Sequence, residues 1–307
     1  MGGVWWEAMN QDDIFKYMQM AVEAAQTSAH PTSKVGACLV KDGQAVARAN
    51  FWPEAIQKRI GTDVKIGNAS GTVHAETACI LDFSIAVAGA DVFSTDPSCP
   101  NCTKNMAEAG VRHLYIDHKG FEKYFAKTRM QDFESLSLAM CRAVGMGVSV
   151  VYRKEQRVEE QLAENDAPDF LDFIVPQDSD NANAIWAAYM QEHERPQRPY
   201  SAALCRKGDG FVILEPPRRD GGKAPDDSKY NFNMQPLTRL LMIAAREGLQ
   251  ILPDYIYTSR VPTARELVNF VGGGYGALTI GDTNDARDEH AFEALQVLTD
   301  TEILSLR

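Results

Sequence analysis

The sequence is short of basic residues, and this shortage limits the partners that it can take. Lysine and arginine number 31 against 42 aspartate and glutamate residues, so the formal net charge at pH 7 is −11. Proteins that bind nucleic acid usually carry the opposite balance, because lysine and arginine neutralise the phosphates. We therefore expect a small ligand that is recognised locally, and not a polynucleotide.

The sequence also lacks the features of membrane and secreted proteins. No apolar run reaches the roughly 18 residues that a membrane-spanning helix needs. Residues 1–13 have neither the basic start nor the apolar stretch of a signal peptide. The six cysteines are scattered over 307 residues, unlike those of small disulfide-bonded domains. We therefore expect a cytoplasmic protein without membrane contact, whose thiols stay free to bind metal.

Strand-like and helical segments alternate through the first half of the chain. An apolar run at 35–40, the turn residues Asp42 and Gly43, and residues 44–50 predict a β-hairpin. Residues 51–73 show no clear period and predict an irregular loop over the site. Alternation after a hairpin indicates an α/β sandwich with a mixed sheet. The further strands are expected at 91–94, 111–117 and 148–153, and the helices at about 11–29, 75–87, 100–108 and 131–144.

The second half of the sequence resembles a degenerate repeat of the first. Residues 154–169 are charged and contain Pro168, which predicts a linker between domains at 1–155 and 168–307. Beyond it, 202–215 parallels 36–49, and 255–282 parallels 91–118. We therefore predict a tandem duplication; the alternative is a chance likeness of two α/β segments.

The copy carries no metal-binding residues. When Ser94 is set against Thr258, Ile116 falls on Ile280, Cys99 on Thr263 and Cys102 on Glu266. No H-x-E string occurs near 230–245. The second half is therefore expected to be a degenerate, non-catalytic unit that packs on the first and closes the mouth of its pocket.

Four residues of the first half form the pattern that carries chemistry. His74 and Glu76 stand at the start of one expected helix, and Cys99 and Cys102 at the start of another. One imidazole and two thiolates leave a fourth tetrahedral position open, as in catalytic zinc sites. The spacing H-x-E followed by C-x-x-C is typical of zinc-dependent nucleobase deaminases, in which the glutamate moves protons. The alternatives are a buried cysteine pair beside an unrelated histidine, a redox pair, or half of a structural zinc site.

Longer strings around these residues resemble the cytidine/deoxycytidylate deaminase superfamily, and its deoxycytidylate-deaminase-like branch most. The resemblance covers about the first 153 residues and is carried by SAHPTSKVGACLV (28–40), HAETACI (74–80), CPNCTKNMAEAGVRHLYI (99–116) and FESLSLAMCRAVGMGVSVVY (133–152). It implies a three-layer sandwich with a mixed five-stranded sheet, one zinc ion per chain on His74, Cys99 and Cys102, and Glu76 as the proton shuttle.

The resemblance also implies a substrate site. Asn50 would bond the base or sugar, and the amide of Ala75 would orient the pyrimidine carbonyl. Phe51 and Trp52 flank Asn50 and could stack on a base, or pack as lid residues. Lys58, Arg59 and Lys65 could receive a phosphate, or be ordinary solvated charges. Ala78 stands where the family usually has asparagine, so the resemblance implies deamination more firmly than it implies deoxycytidylate.

The expected function is therefore hydrolytic deamination of a cytosine-type nucleoside or nucleotide, with release of ammonia. A guanine- or adenine-type base or nucleoside is the alternative substrate. A zinc-binding regulatory protein without turnover is the alternative class, since the second half shows that such a site can be lost. The expected partners are a small nucleobase, nucleoside or nucleotide and a second copy of the chain in a homodimer.

Overall fold

The computed structural model describes residues 9–62, 64–123, 127, 130–131, 133–165, 173–191, 197–219 and 233–307. Residues 166–169 of the predicted linker lie outside these ranges. Below, "first half" means the described residues up to 165, and "second half" those from 173 onward.

The first half begins with a helix, continues with a hairpin, and then alternates strands with helices. Its elements are α1 (Gln11–Gln26), β1 (Gly36–Lys41), β2 (Gln44–Ala49), α2 (Glu54–Arg59), β3 (Lys65–Ile66), β4 (Ala69–Ser70), α3 (Ala75–Asp82), β5 (Asp91–Ser94), α4 (Pro100–Glu108), β6 (His113–Asp117), α5 (His118–Glu122), a π-helical turn (Phe133–Ser137), α6 (Leu138–Ala143), β7 (Gly147–Tyr152) and β8 (Arg157–Leu162). The expected irregular loop at 51–73 thus contains a short helix and a small two-stranded sheet, so that part of the prediction is wrong.

The first sheet has the strand order β2-β1-β5-β6-β7-β8. Strands β5, β6 and β7 run parallel, and β1, β2 and β8 join antiparallel. Helix α1 covers one face of the sheet through Ile14 and Met18, while α3 and α4 bury Ile80 and Met106 on the other face. The predicted three-layer α/β sandwich with a mixed sheet is confirmed.

The sheet has six strands where five were expected. The extra strand, β8, lies within the segment predicted as a linker and pairs with β7 at the edge of the sheet. Val158 and Leu162 pack against the protein, whereas the charged residues between them are exposed. A half-exposed edge strand buries few side chains, so its composition resembles that of a linker.

The second half repeats this arrangement. Its elements are β9 (Ile174–Gln177), α7 (Ala182–Gln191), β10 (Ser201–Lys207), β11 (Gly210–Leu214), α8 (Pro236–Glu247), β12 (Gln250–Val261), α9 (Ala264–Gly272), β13 (Ala277–Ala286), α10 (Glu289–Asp300) and β14 (Ser305–Leu306). The sheet order β11-β10-β12-β13-β14 matches β2-β1-β5-β6-β7, with β9 added beside β11. Helices α7, α8, α9 and α10 stand where the first half has α1, α3, α4 and α6.

The strand register supports the duplication at the level of single residues. Ser94 pairs with Ile116 between β5 and β6, and Thr258 pairs with Ile280 between β12 and β13. These are the pairs that the aligned sequences predict. The second half differs at β10, where the pairing with β12 shifts between Ala203 and Cys205.

The two halves pack against each other through helices of each half. Helices α3 and α4 contact α8, and a single apolar core contains side chains from both halves. The Glu108 carboxylate, at the end of α4, accepts bonds of 2.9 and 2.7 Å from the Arg239 guanidinium on α8. None of the described helices is both long and apolar enough to span a membrane.

Candidate metal centre

Two helix N-termini bring the predicted metal ligands together. His74 is the N-cap of α3 and Cys99 the N-cap of α4, both with extended backbone, and neither side chain caps its own helix. Pro100 follows at the first position of α4, which needs no N–H donor, and Cys102 lies in the same turn. The positive ends of two helix dipoles therefore converge on the thiols and favour their thiolate forms.

The distances between these side chains fit a tetrahedral metal ion. The Nδ1 atom of His74 lies 3.5 Å from the Cys99 Sγ and 3.3 Å from the Cys102 Sγ. All three ligand atoms lie within 4.8 Å of one another. Ordinary Zn–N and Zn–S bonds at the tetrahedral angle place a nitrogen and a sulfur ligand about 3.6 Å apart. The three side chains therefore fit zinc as they stand, and leave its fourth position for another ligand.

Glu76 lies beside this cluster and is almost fully buried, with 4% of its surface exposed. Burial, together with the neighbouring Cys99, raises the pKa of its carboxyl group to about 6, while His74 opposes the rise. A carboxyl group with a pKa close to neutral can both take up and release a proton during a reaction.

Several hydrogen-bonded side chains contact the two cysteine ligand candidates. The Asn105 amide donates to the Thr77 hydroxyl over 3.0 Å, and that hydroxyl lies 3.9 Å from the Cys102 Sγ. The Thr103 hydroxyl donates to the Cys99 carbonyl over 3.1 Å. Such contacts around a ligand set fix its orientation.

The cluster opens into a cavity of about 530 Å³ between the two halves. His74 and Cys99 form part of its wall on the side of the first half. The second half contributes Asn233, Met234, Gln235, Thr238, Thr263, Arg265, Glu266, Asn269 and Arg287. The volume lies in the usual range of small-molecule sites.

The residues predicted to contact substrate lie in two places. Ala75 opens α3 beside His74 and is fully buried. Asn50, Phe51 and Trp52 line a different cavity, of about 380 Å³. The structure therefore does not bring these three residues to the cavity at the metal ligands.

The contacts of Asn50 and Trp52 lie within the protein. The Asn50 Oδ1 accepts bonds from the Ser28 hydroxyl and the Val35 amide, and its Nδ2 donates to the Ser33 carbonyl. Trp52 stacks on His30, with ring centroids 5.3 Å apart. A role of these residues in binding substrate stays a prediction.

The three basic residues considered for a phosphate also lie away from the cavity at the cluster. Lys58 pairs with Glu54 along α2, and Arg59 pairs with Glu302 of the second half. Lys65 is exposed on β3.

Comparison with known proteins agrees with this geometry. Residues 11–117, about a third of the chain, match the family model described as the cytidine and deoxycytidylate deaminase zinc-binding region. This span contains all four predicted metal and proton-transfer residues. Residues 11–117 belong to the zinc-binding deaminase superfamily.

Individual relatives of this deaminase region cover part of the chain. An uncharacterised deaminase from the luxG 3′ region of Aliivibrio fischeri is 29% identical over 101 residues, which make up 33% of this chain and 69% of that protein. Among solved structures, the cyanophage S-TIM5 dCMP deaminase in complex with dCMP and dUMP is 25% identical, with a TM-score of 0.36, and spans 47% of this chain and all of its own. The Acinetobacter baumannii RibD is 17% identical, with a TM-score of 0.32, over 48% of this chain and 37% of its own.

The second half has other polar side chains at the positions where the deaminase region has its predicted metal ligands. Gln235 is the N-cap of α8, with φ −73° and ψ 151°, against φ −77° and ψ 152° for His74. Thr263, the N-cap of α9, and Glu266 stand at the positions of Cys99 and Cys102 and form a capping box. The aligned sequences predict that these positions carry no metal ligands, and the structure places Gln235, Thr263 and Glu266 there.

Glu266 connects the N-termini of α8 and α9, which correspond to the two helix N-termini at the predicted metal site of the first half. Its Oε1 accepts from the Leu237 and Thr238 amides at the start of α8, over 2.8 and 3.2 Å. Its Oε2 accepts from the Thr263 amide and hydroxyl at the start of α9, over 2.8 and 2.9 Å. A buried carboxylate with four donors satisfies both helix termini without an ion.

The sequence predicts that the second half closes the mouth of the pocket, but it does not identify which residues of that half line the cavity. Arg265 is the clearest case, since its guanidinium bonds the Thr72 carbonyl and the Ser70 hydroxyl just before His74. A faint signal existed, because the aligned halves set Arg265 against Asn101, which also lines the cavity. Neither segment contains a local sequence signal that the first turns of α4 and α9 would line the same cavity.

Proposed function

We propose that the protein is a zinc-dependent hydrolytic deaminase of a cytosine-type nucleoside or nucleotide. The observation that carries the proposal is the convergence of His74, Cys99 and Cys102 at zinc-ligand distances, with buried Glu76 beside them and a cavity in front. Family membership of residues 11–117 supports deamination. The dCMP bound to the cyanophage relative points to the same substrate class.

Each residue has a defined task in this proposal. His74, Cys99 and Cys102 hold the metal, which when bound acts as a Lewis acid that makes water a competent nucleophile at neutral pH. Glu76 would move one proton of the attacking water to the ring nitrogen, and then the second, from the newly added hydroxyl group, to the departing amine. The buried position of Glu76 keeps its carboxyl group near the reacting atoms and away from bulk water.

Ammonia release from a panel of substrates tests the proposal. The panel contains cytosine, cytidine, deoxycytidine and their monophosphates, together with the matching guanine and adenine compounds. We expect release from at least one cytosine-type nucleoside or nucleotide. We also expect Glu76→Gln to keep its metal and lose about 100-fold or more of the rate, as for the loss of a general acid–base group.

Glu134→Gln is the matched control, because Glu134 is exposed on the π-helical turn far along the chain from the ligands. It should leave the rate unchanged. Ammonia release at the wild-type rate from Glu76→Gln would contradict the assigned role. Full zinc content with no release from any compound would favour the regulatory alternative.

We further propose a cytoplasmic enzyme whose catalytic domain is 1–155 and whose non-catalytic domain is 168–307, assembled as a homodimer. All six cysteines are free, as a reducing compartment requires. The mass of the particle in solution, measured by light scattering, tests the dimer; a mass near 34.0 kDa would identify a monomer.

A further inference from the structure

Arg265 carries a positive charge from the second half into the cavity of the deaminase region. It lies in the first turn of α9 and lines the cavity together with His74 and Cys99. Its Nη1 donates to the Thr72 carbonyl over 2.7 Å, and its Nη2 to the Ser70 hydroxyl over 3.0 Å. Both partners are uncharged, and they hold the guanidinium in place across the contact between the halves.

No carboxylate among the described residues pairs with this guanidinium. The anionic groups within electrostatic range of it are the Cys99 and Cys102 sulfurs when they are deprotonated. A divalent metal on two thiolates leaves no net negative charge there to balance an arginine. Arg265 is half-buried at the cavity wall, so its remaining N–H groups can bind an anion that a ligand supplies.

The other charged residues of the cavity wall already have partners. Arg287 is paired with Asp288. Lys104 donates to the Asn233 carbonyl over 2.9 Å. Glu266 accepts the four bonds at the starts of α8 and α9. Of the two arginines in the described cavity wall, Arg265 is therefore the one without a carboxylate partner, and its guanidinium can offer an anion two parallel hydrogen bonds.

We propose that the non-catalytic half supplies the phosphate-recognition residue of the active site, Arg265, and so selects a nucleoside monophosphate over the nucleoside. This inference rests on the proposed function, which places the base at His74, Cys99 and Cys102. A cavity of about 530 Å³ accommodates a base together with a sugar and a phosphate. Guanidinium groups bind phosphate through two parallel hydrogen bonds, in addition to the attraction of the charges.

Binding of product-type ligands tests the inference without turnover. Zinc-loaded full-length protein is titrated with deoxyuridine and with deoxyuridine monophosphate in a calorimeter, and the ratio of the two Kd values isolates the effect of the phosphate. We expect the wild type to bind the monophosphate about 10- to 100-fold more tightly, as for a hydrogen bond between charged groups. Inorganic phosphate should compete with the monophosphate more strongly than with the nucleoside.

Three variants separate the charge of Arg265 from its role as a tether. Arg265→Gln should bring the ratio to within about threefold of one, while the nucleoside binds as in the wild type. Arg265→Lys should restore most of the preference, because it restores the charge; a purely structural role would not be rescued. Arg142→Gln, at an exposed arginine on α6, should change nothing.

The inference is overturned if the wild-type ratio is close to one, or if Arg265→Gln keeps the full preference. It is overturned as well if both Arg265 variants lose binding of nucleoside and monophosphate alike. Ammonia release, measured separately, reports on the proposed function. A protein that prefers the monophosphate through Arg265 but releases no ammonia would refute deamination and keep the assignment of Arg265.

Discussion

The buried ion pair between Glu108 and Arg239 makes the stability of the two halves interdependent. The side chains are 1% and 8% exposed, and two hydrogen bonds join them. Burial lowers the pKa of Arg239, and Glu108 opposes that effect. The change Glu108→Gln keeps the size of the side chain and leaves the arginine charge buried without a counter-charge.

The expected loss follows from that burial. Removing one member of a buried pair costs about 3–5 kcal/mol, and water screens this pair little. Arg219 also pairs with Glu108, but it is 42% exposed and can regain water, so it adds little to the loss. A decrease of this size is a large part of the 5–15 kcal/mol that is typical of folded proteins.

Urea unfolding followed by circular dichroism measures the loss. Arg239→Met in the Glu108→Gln background should recover part of it, because no unpaired charge then remains. Glu302→Gln is the matched control: it breaks a second ion pair between the halves, with Arg59, but Glu302 is 80% exposed, so less than about 1 kcal/mol should be lost. A loss below about 1 kcal/mol in Glu108→Gln, or a double variant less stable than the single one, would refute the reasoning.

Two further predictions concern stability. Glu266→Ala should lower the free energy of unfolding by about 3 kcal/mol or more, since it leaves the donors at the starts of α8 and α9 unpaired. Thr263→Ala should lower it by only about 1 kcal/mol, because only one helix cap is lost. Equal losses for the two variants in urea unfolding would contradict this prediction. The bond from His113 lowers the pKa of Glu164, so its contribution to stability is present above the ordinary carboxyl pKa and is lost as pH falls through the lowered one. Glu164→Gln should therefore be less stable than the wild type at pH 7, and a gap that stays constant down to pH 2 would rule this out.

The parts of the fold and site that the sequence predicts are those that depend on local chemistry. The first hairpin has φ 49° at Asp42 and φ 76° at Gly43, a backbone that aspartate and glycine tolerate, and this turn is predicted. The ligands are predicted because His74, Cys99 and Cys102 stand at helix starts with a spacing that few other arrangements share.

The parts that are missed depend on contacts between distant segments. Strand β8 was missed because an edge strand keeps the charged composition of a linker. Asn50, which the resemblance assigns to the substrate, lines a different cavity from the ligands, and its role stays a prediction. Arg265 was not identified because its contacts lie where the two halves meet, and it stands 191 positions along the chain from His74.

The metal content of the purified chain tests the account most directly. Plasma mass spectrometry of protein purified without added metal should find about one zinc ion per chain, and less than about a tenth of that in the Cys99→Ser/Cys102→Ser double variant. Protein that carries no stoichiometric zinc, or a double variant that retains it in full, would contradict the account.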